Sequence, residues 1–158
     1  MPQDWSLINY SKCNGYANMA IDEALFESLR AIRSSGERGI VRFYEFLMPT
    51  VTIGRYQRIK DFPAGTFGGG YDIVRRITGG GLVDHNDSLT FSFITHKDAH
   101  AKFATAAFFY KVLHAVIFKA FLGCGIRLVM QRGEGKGGAG FEECFKKPVE
   151  YDLLYEGR

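Results

Sequence analysis

The chain has 158 residues with 46% hydrophobic and 15% aromatic content, which fits one soluble globular domain with a sizeable core. Its 20 Lys and Arg against 17 Asp and Glu leave a net charge of +3, so basic character is local to a site and bulk charge gives nucleic-acid binding no support. No apolar stretch long enough to span a bilayer is expected, and the opening Met1-Pro2-Gln3-Asp4 lacks the basic and apolar regions of a signal peptide; the expected compartment is the cytosol, with no membrane partner. Cys13, Cys124 and Cys144 are odd in number and lack CxxC spacing, which argues against a disulfide framework and a structural zinc site.

In chain order, Trp5 to Asn9 reads as a first strand, followed by a turn at Asn14-Gly15 and a helix from about Ala17 to Ser34 with Ile21, Leu25, Leu29 and Ile32 on its buried face. Ile40 to Glu45 and Val51 to Gly54 read as an early strand pair joined by a turn around Met48-Pro49. A glycine turn at Gly68 to Gly70 precedes the apolar Ile73-Val74, which puts Arg75 and Arg76 at or near the end of a central strand, with Gly79 to Gly81 forming the next corner. Leu82-Val83 and Leu89 to Ile94 resume strand character, the second with Leu89, Phe91 and Phe93 on one face and Thr90 and Ser92 on the other. The clearest helix covers about Ala104 to Leu122, bracketed by Gly123 and Gly125. Ile126 to Met130 and Tyr151 to Tyr155 are the last strands, either side of a lysine-containing loop from Gly133 to Gly140. Strand pairs interrupted by two long helices, without strict alternation, predict an α+β fold with helices packed on mixed or antiparallel sheets.

The segment from Arg75 to His85 carries the strongest chemical signal. Two consecutive arginines at the end of a strand point to opposite faces, so one approaches the interior and needs a partner. That partner is either an internal carboxylate or an anionic ligand group held by the arginine and the glycine amides. His85 adds a group that titrates near neutral pH. Other signals are weaker. Gly133 to Gly138 resembles a phosphate loop only superficially, because Gly137 follows Lys136 where the pattern needs Ser or Thr. His96 and His100 lack partners for a metal site and read as solvated residues at a helix start. Asp22 and Glu23, adjacent on a helix, point in different directions and do not suit joint acid–base work. Cys144, beside Glu143 and Phe145, reads either as a small buried hydrophobe or as a nucleophile whose thiolate is stabilised by Lys146, Lys147, Arg75 or Arg76.

The runs Asn18 to Ala24, Arg42 to Phe46, Pro49-Thr50-Val51, Gly54-Arg55, Gln57 and Arg75 to His85 together resemble the lipoate–protein ligase A and octanoyltransferase family, relatives of biotin protein ligases, in order and spacing over nearly the whole chain. The resemblance implies a biotin/lipoate protein ligase-like catalytic domain that attaches an octanoyl or lipoyl group to one lysine of the lipoyl domains of 2-oxoacid dehydrogenases or of the glycine-cleavage H protein. It implies that Phe46 lines the acyl pocket and that Arg75, Arg76, Thr78, Gly79, Gly80, Gly81 and His85 surround the activated carbonyl. Two branches of the family differ in activation. Cys144-Phe145, with Tyr151-Asp152-Leu153-Leu154 and Glu156-Gly157-Arg158, is similar to cysteine-dependent transferases, which take the group from acyl carrier protein as a thioester on Cys144 and need no tightly bound cofactor. The Gly79-Gly80-Gly81 triplet is similar to ligases, which use ATP and Mg to make an acyl-adenylate. Both branches follow Gly157-Arg158 with a lysine that contacts the activated carboxyl group, so residues 1–158 are expected to be one catalytic domain truncated at its C-terminal end, with little activity alone. That missing lysine leaves a third reading, a catalytically silent acyl-binding module.

Overall fold

The computed structural model describes residues 5–31, 39–62, 69–96, 105–133 and 150–156. They fall into two compact units, the first described over residues 5–96 and the second over 105–133 and 150–156.

The first unit is built on two three-stranded sheets and one helix. Strand β1 (Trp5–Cys13) leads into α1 (Gly15–Ala31), then β2 (Gly39–Phe46) and β3 (Thr50–Ile53); after a 3-10 turn at Ile59–Asp61 come β4 (Asp72–Arg75), β5 (Val83–Asp84) and β6 (Thr90–Thr95). One sheet has the order β1-β2-β6, with β1 parallel and β6 antiparallel to β2; the other has the order β4-β3-β5, with β4 parallel and β5 antiparallel to β3. The expected early strand pair is therefore corrected. β2 and β3 follow one another in sequence but enter different sheets, because β2 takes up partners on both its edges and so does β3. The strand carrying the arginines is likewise not central: β4 lies at an edge of its described sheet, and β3, with all four residues buried, is the centre.

Helix α1 starts two residues before the expected Ala17, because Asn14 caps it: its Oδ1 accepts from Ala17 N at 2.8 Å and its carbonyl from Asn18 N at 3.0 Å. The expected apolar face is present, with Leu29 buried and Ile21 and Leu25 half-buried, while Ile32 lies outside the described residues. The same face carries a polar anchor. Asn18 is fully buried, and its amide donates to Cys13 O at 3.1 Å and Glu45 O at 3.0 Å, tying α1 to the ends of β1 and β2. The Arg42 guanidinium, 1% exposed, lies over the Tyr44 ring at 4.0 Å and donates to Asn18 Oδ1 at 2.6 Å and Asp22 Oδ1 at 2.7 Å. Asp22 Oδ2 accepts from Tyr44 at 2.8 Å and from Ser92 at 2.5 Å. Burial, then the Asp22 charge, pushes the Tyr44 hydroxyl up from its ordinary pKa, so it stays a donor. The polar face of β6 is thus its inward one, and Phe91 and Phe93 pack instead against Phe43 and Trp5 on the other face of the sheet.

In the second unit, α2 (Ala106–Gly123) is capped by Thr105 Oγ1, which accepts from Phe108 N at 3.2 Å, and β7 (Val129–Met130) pairs antiparallel with β8 (Leu153–Leu154). Two polar contacts fix the helix to the turn before β8: His114 Nδ1 lies 2.8 Å from Tyr151 O, and the Tyr110 hydroxyl donates to Asp152. Contrary to the expectation from sequence, α2 is long and apolar enough to cross a bilayer by length and composition. His96, expected to be solvated, has its Nε2 buried without a partner; His100, like Lys136, lies outside the described residues.

Candidate functional site

Arg75, the last residue of β4, and Arg76, which follows it, turn to different partners. Arg75 turns outward, and its Nη1 donates to Gly54 O at 3.0 Å, Arg55 O at 3.1 Å and Gln57 O. Arg76 turns inward to Thr52, donating to its carbonyl at 3.2 Å and its Oγ1 at 3.0 Å, and reaches Gly79 O at 2.9 Å and Gly81 O at 2.5 Å. The described contacts of both arginines are with the protein's own backbone and Thr52. Among the described residues Arg75 meets backbone carbonyls, and Arg76 clasps the glycine corner itself. Arg75 gathers three loop carbonyls on one nitrogen, and Arg76 divides its donors between Thr52 of β3 and the carbonyls of Gly79 and Gly81, which fixes the glycine corner against β3.

The corner is shaped by two close approaches. Gly80 has φ +92°, and a Cβ there would lie 2.9 Å from Arg76 Nη2. A Cβ on Gly54 would lie 2.1 Å from Gly80 O, so the corner rests directly on the end of β3. With the Gly79 and Gly81 carbonyls turned to Arg76, the N–H groups of Gly79, Gly80 and Gly81 make no hydrogen bond among the described residues. A Cβ on Gly79 would meet nothing within 4 Å, so a ligand can approach closely there. Successive free N–H groups at such a corner form a concavity for a negative oxygen. Thr78 is exposed, and its carbonyl accepts from Arg55 N at 2.8 Å.

Phe46 and His85 meet on the inner side of β3. Their ring centroids are 4.3 Å apart, and Tyr44 packs edge-on to Phe46 at 5.6 Å. His85 Nε2 lies 2.9 Å from Thr52 Oγ1 and Nδ1 lies 3.2 Å from Thr90 Oγ1. Burial, and next the Arg76 charge, lowers the His85 pKa from 6.5 to about 4 against a smaller opposing effect of Asp84. It is therefore neutral at physiological pH, which corrects the expectation of a group titrating near neutrality. On the α1 side, a cleft of about 310 Å³ lies between Glu23 and Glu27 of the helix and Arg55, Arg75 and Arg76.

The structure thus brings Phe46, Arg75, Arg76, the glycine corner and His85 around the end of β3. Cys144 lies outside the described residues; of the other cysteines, Cys13 is half-buried and Cys124 exposed. Sequence reasoning missed Thr52 and Thr90, which hold both nitrogens of His85. A threonine in a strand carries no signal of its own, whereas the spacing of Gly54 and Gln57, which pair through Gly54 N and Gln57 Oε1 at 2.9 Å, did belong to the recognised pattern.

Two curated relatives, octanoyltransferases LipM of Macrococcus caseolyticus and Staphylococcus epidermidis, are 30% and 33% identical over the whole chain. The chain spans 59% of the length of each. Among solved structures, a candidate lipoate protein ligase from T. acidophilum superposes with a TM-score of 0.63 at 21% identity, over 98% of this chain and 58% of that one. A lipoate-protein ligase A bound with ATP gives 0.58 at 21% identity, over 87% and 52%. A bi-partite lipoate protein ligase from Thermoplasma acidophilum, described together with its E2 lipoyl domain, gives 0.53 at 26% identity, over 85% and 49%. These likenesses establish the α+β ligase fold. The profile of the lipoyl protein ligase A/B catalytic domain matches residues 14–158, from the cap of α1 through the arginine–glycine corner, and the chain belongs to that family.

Proposed function

We propose that this chain is the acyl-binding part of an enzyme that transfers an octanoyl or lipoyl group to a specific lysine of lipoyl domains or of the glycine-cleavage H protein. The observation that carries the reading is the glycine corner, whose carbonyls Arg76 holds away and whose N–H groups are left to receive an acyl oxygen. Those donors are fixed before the substrate arrives, which is what stabilising a tetrahedral oxyanion requires. Phe46, buried beside Tyr44, supplies an apolar wall for the chain, and Thr78 and Arg75 border the mouth.

Cys144 is the proposed nucleophile, on the strength of its sequence context and of the octanoyltransferase relatives. Its thiolate attacks the octanoyl thioester of acyl carrier protein, the new C–S bond forming as the carrier's thiolate leaves and takes up a proton. The lysine amine then attacks the enzyme thioester, forming the amide and returning the Cys144 thiol. This route needs no tightly bound cofactor, and its carrier-protein donor is consistent with a cytosolic location. The triple glycine favours one second reading, an ATP- and Mg-dependent ligase, in keeping with the ATP-bound neighbour.

The test is Cys144→Ser in the full-length protein, assayed by intact mass. The wild type gains one octanoyl group from octanoyl carrier protein and passes it to a lipoyl domain, while the variant does neither; undiminished transfer by the variant refutes the thioester route.

A further inference from the structure

We infer that Thr52 is a positioning residue that fixes His85 as the neutral Nδ1–H tautomer, so that the imidazole serves as a rigid wall behind Phe46 and neither gives up nor takes up a proton during transfer. The inference rests on the proposed function only for where the acyl group lies; the tautomer follows from hydrogen-bond accounting. Thr52 is 1% exposed in the central strand β3, and its Oγ1 has two neighbours, Arg76 Nη1 at 3.0 Å and His85 Nε2 at 2.9 Å. A guanidinium only donates, so Arg76 takes a lone pair of that oxygen. The hydroxyl hydrogen then needs an acceptor, and Nε2 is the one within reach. If Nε2 carried a proton, Thr52 Oγ1 would face two donors with its own buried hydrogen left unsatisfied. Nε2 is therefore the acceptor, the ring proton sits on Nδ1, and it is donated to Thr90 Oγ1 at 3.2 Å.

Both ring nitrogens are thus occupied by threonines on β3 and at the start of β6, and the face of the ring is given to Phe46 at 4.3 Å. The charged groups acting on the ring are Arg76 from the end of β4 and Asp84 from β5; burial and Arg76 together outweigh Asp84 and oppose an imidazolium. A histidine in a family motif beside a reacting carbonyl invites an acid–base role, and this geometry assigns it the opposite one: it sets the position of the Phe46 wall. Arg76 links the two parts of the site, since the guanidinium that turns the glycine carbonyls also sets the polarity of Thr52.

The experiment is long-range nitrogen–proton NMR of the histidine rings in the full-length protein, assigned with His85→Gln, together with transfer kinetics of Thr52→Val and Thr52→Ser. The wild type should show an unprotonated Nε2 and a protonated Nδ1 throughout about pH 5 to 8. Thr52→Val, which removes the hydroxyl but leaves the burial and the Arg76 charge in place, should let the ring proton move to Nε2 and so populate the other neutral tautomer, and should lower kcat; Thr52→Ser should restore both wild-type behaviours. An Nε2–H tautomer, or a His85 titration near neutrality in the wild type, overturns the proposal. If Thr52→Val fails to fold, the wild-type and Thr52→Ser spectra still decide it. Absence of acyl transfer together with the expected tautomer would refute the proposed function and leave the Thr52 assignment standing, whereas normal transfer with the wrong tautomer would refute this assignment alone.

Discussion

Replacing Asp22 with Ala should remove a large share of the protein's stability. The Asp22 side chain is 13% exposed and accepts from Arg42 at 2.7 Å, Tyr44 at 2.8 Å and Ser92 at 2.5 Å, while the Arg42 side chain is 1% exposed. The substitution leaves a buried guanidinium without its counter-charge and two hydroxyls without their acceptor. Breaking a buried pair by removing one partner costs about 3–5 kcal/mol, against a total of about 5–15 kcal/mol for a typical domain. Asp22→Asn keeps an acceptor in place and should cost less. Adding Arg42→Met to Asp22→Ala removes the stranded charge and fills its space, so the double variant should recover part of the loss. Urea unfolding of the full-length protein followed by circular dichroism measures all three as shifts in midpoint at constant slope. A loss below about 1 kcal/mol for Asp22→Ala would refute the reasoning, because it would mean that Arg42 is solvated or paired elsewhere.

The glycine contacts give a second prediction: Gly54→Ala drives its Cβ into Gly80 O at 2.1 Å, so it should cost about 1–3 kcal/mol and lower acyl transfer at least about tenfold by displacing the corner. Gly79→Ala, whose Cβ meets nothing within 4 Å, should leave the unfolding midpoint unchanged yet slow transfer, as measured by single-turnover kinetics. The third concerns acid. His85 has a pKa of about 4 when folded and 6.5 as its ordinary value, so between those pH values the unfolded chain binds the proton more readily. Its contribution to stability is therefore complete above pH 6.5 and lost as the pH falls towards 4. His85→Gln should flatten that part of the stability–pH curve, and an unchanged slope would contradict it.

Much of this was legible in the sequence where a periodic rule applied. The spacing of Leu25 and Leu29 gave the buried face of α1, strand alternation separated Arg75 and Arg76, which turn to different partners at the end of β4, and Thr105 and Gly123 bound α2 almost where its apolar pattern ends. What the arginines hold was not legible, because their partners are carbonyl groups, which every residue has. Pairing was misjudged for β2 and β3 because local turn signals do not reveal that β2 pairs with β1 and β6, and β3 with β4 and β5, rather than with each other. Asn18, Asp22 and Arg42 were recognised as family markers without a reason. The structure supplies one: they form a buried hydrogen-bonded network that fixes α1 to the β1-β2-β6 sheet, so they bear on the site by supporting it. Thr52 and Thr90 gave no sign at all, since only folding brings them to His85.

The most direct test of the account compares acyl donors with the full-length protein. A lipoyl domain is incubated with octanoyl carrier protein, or with octanoate, ATP and Mg, and its intact mass is followed. The account predicts that the carrier thioester alone adds one octanoyl group to the lipoyl domain and that octanoate with ATP adds none. Labelling only by octanoate with ATP, or no labelling by either donor, would contradict it.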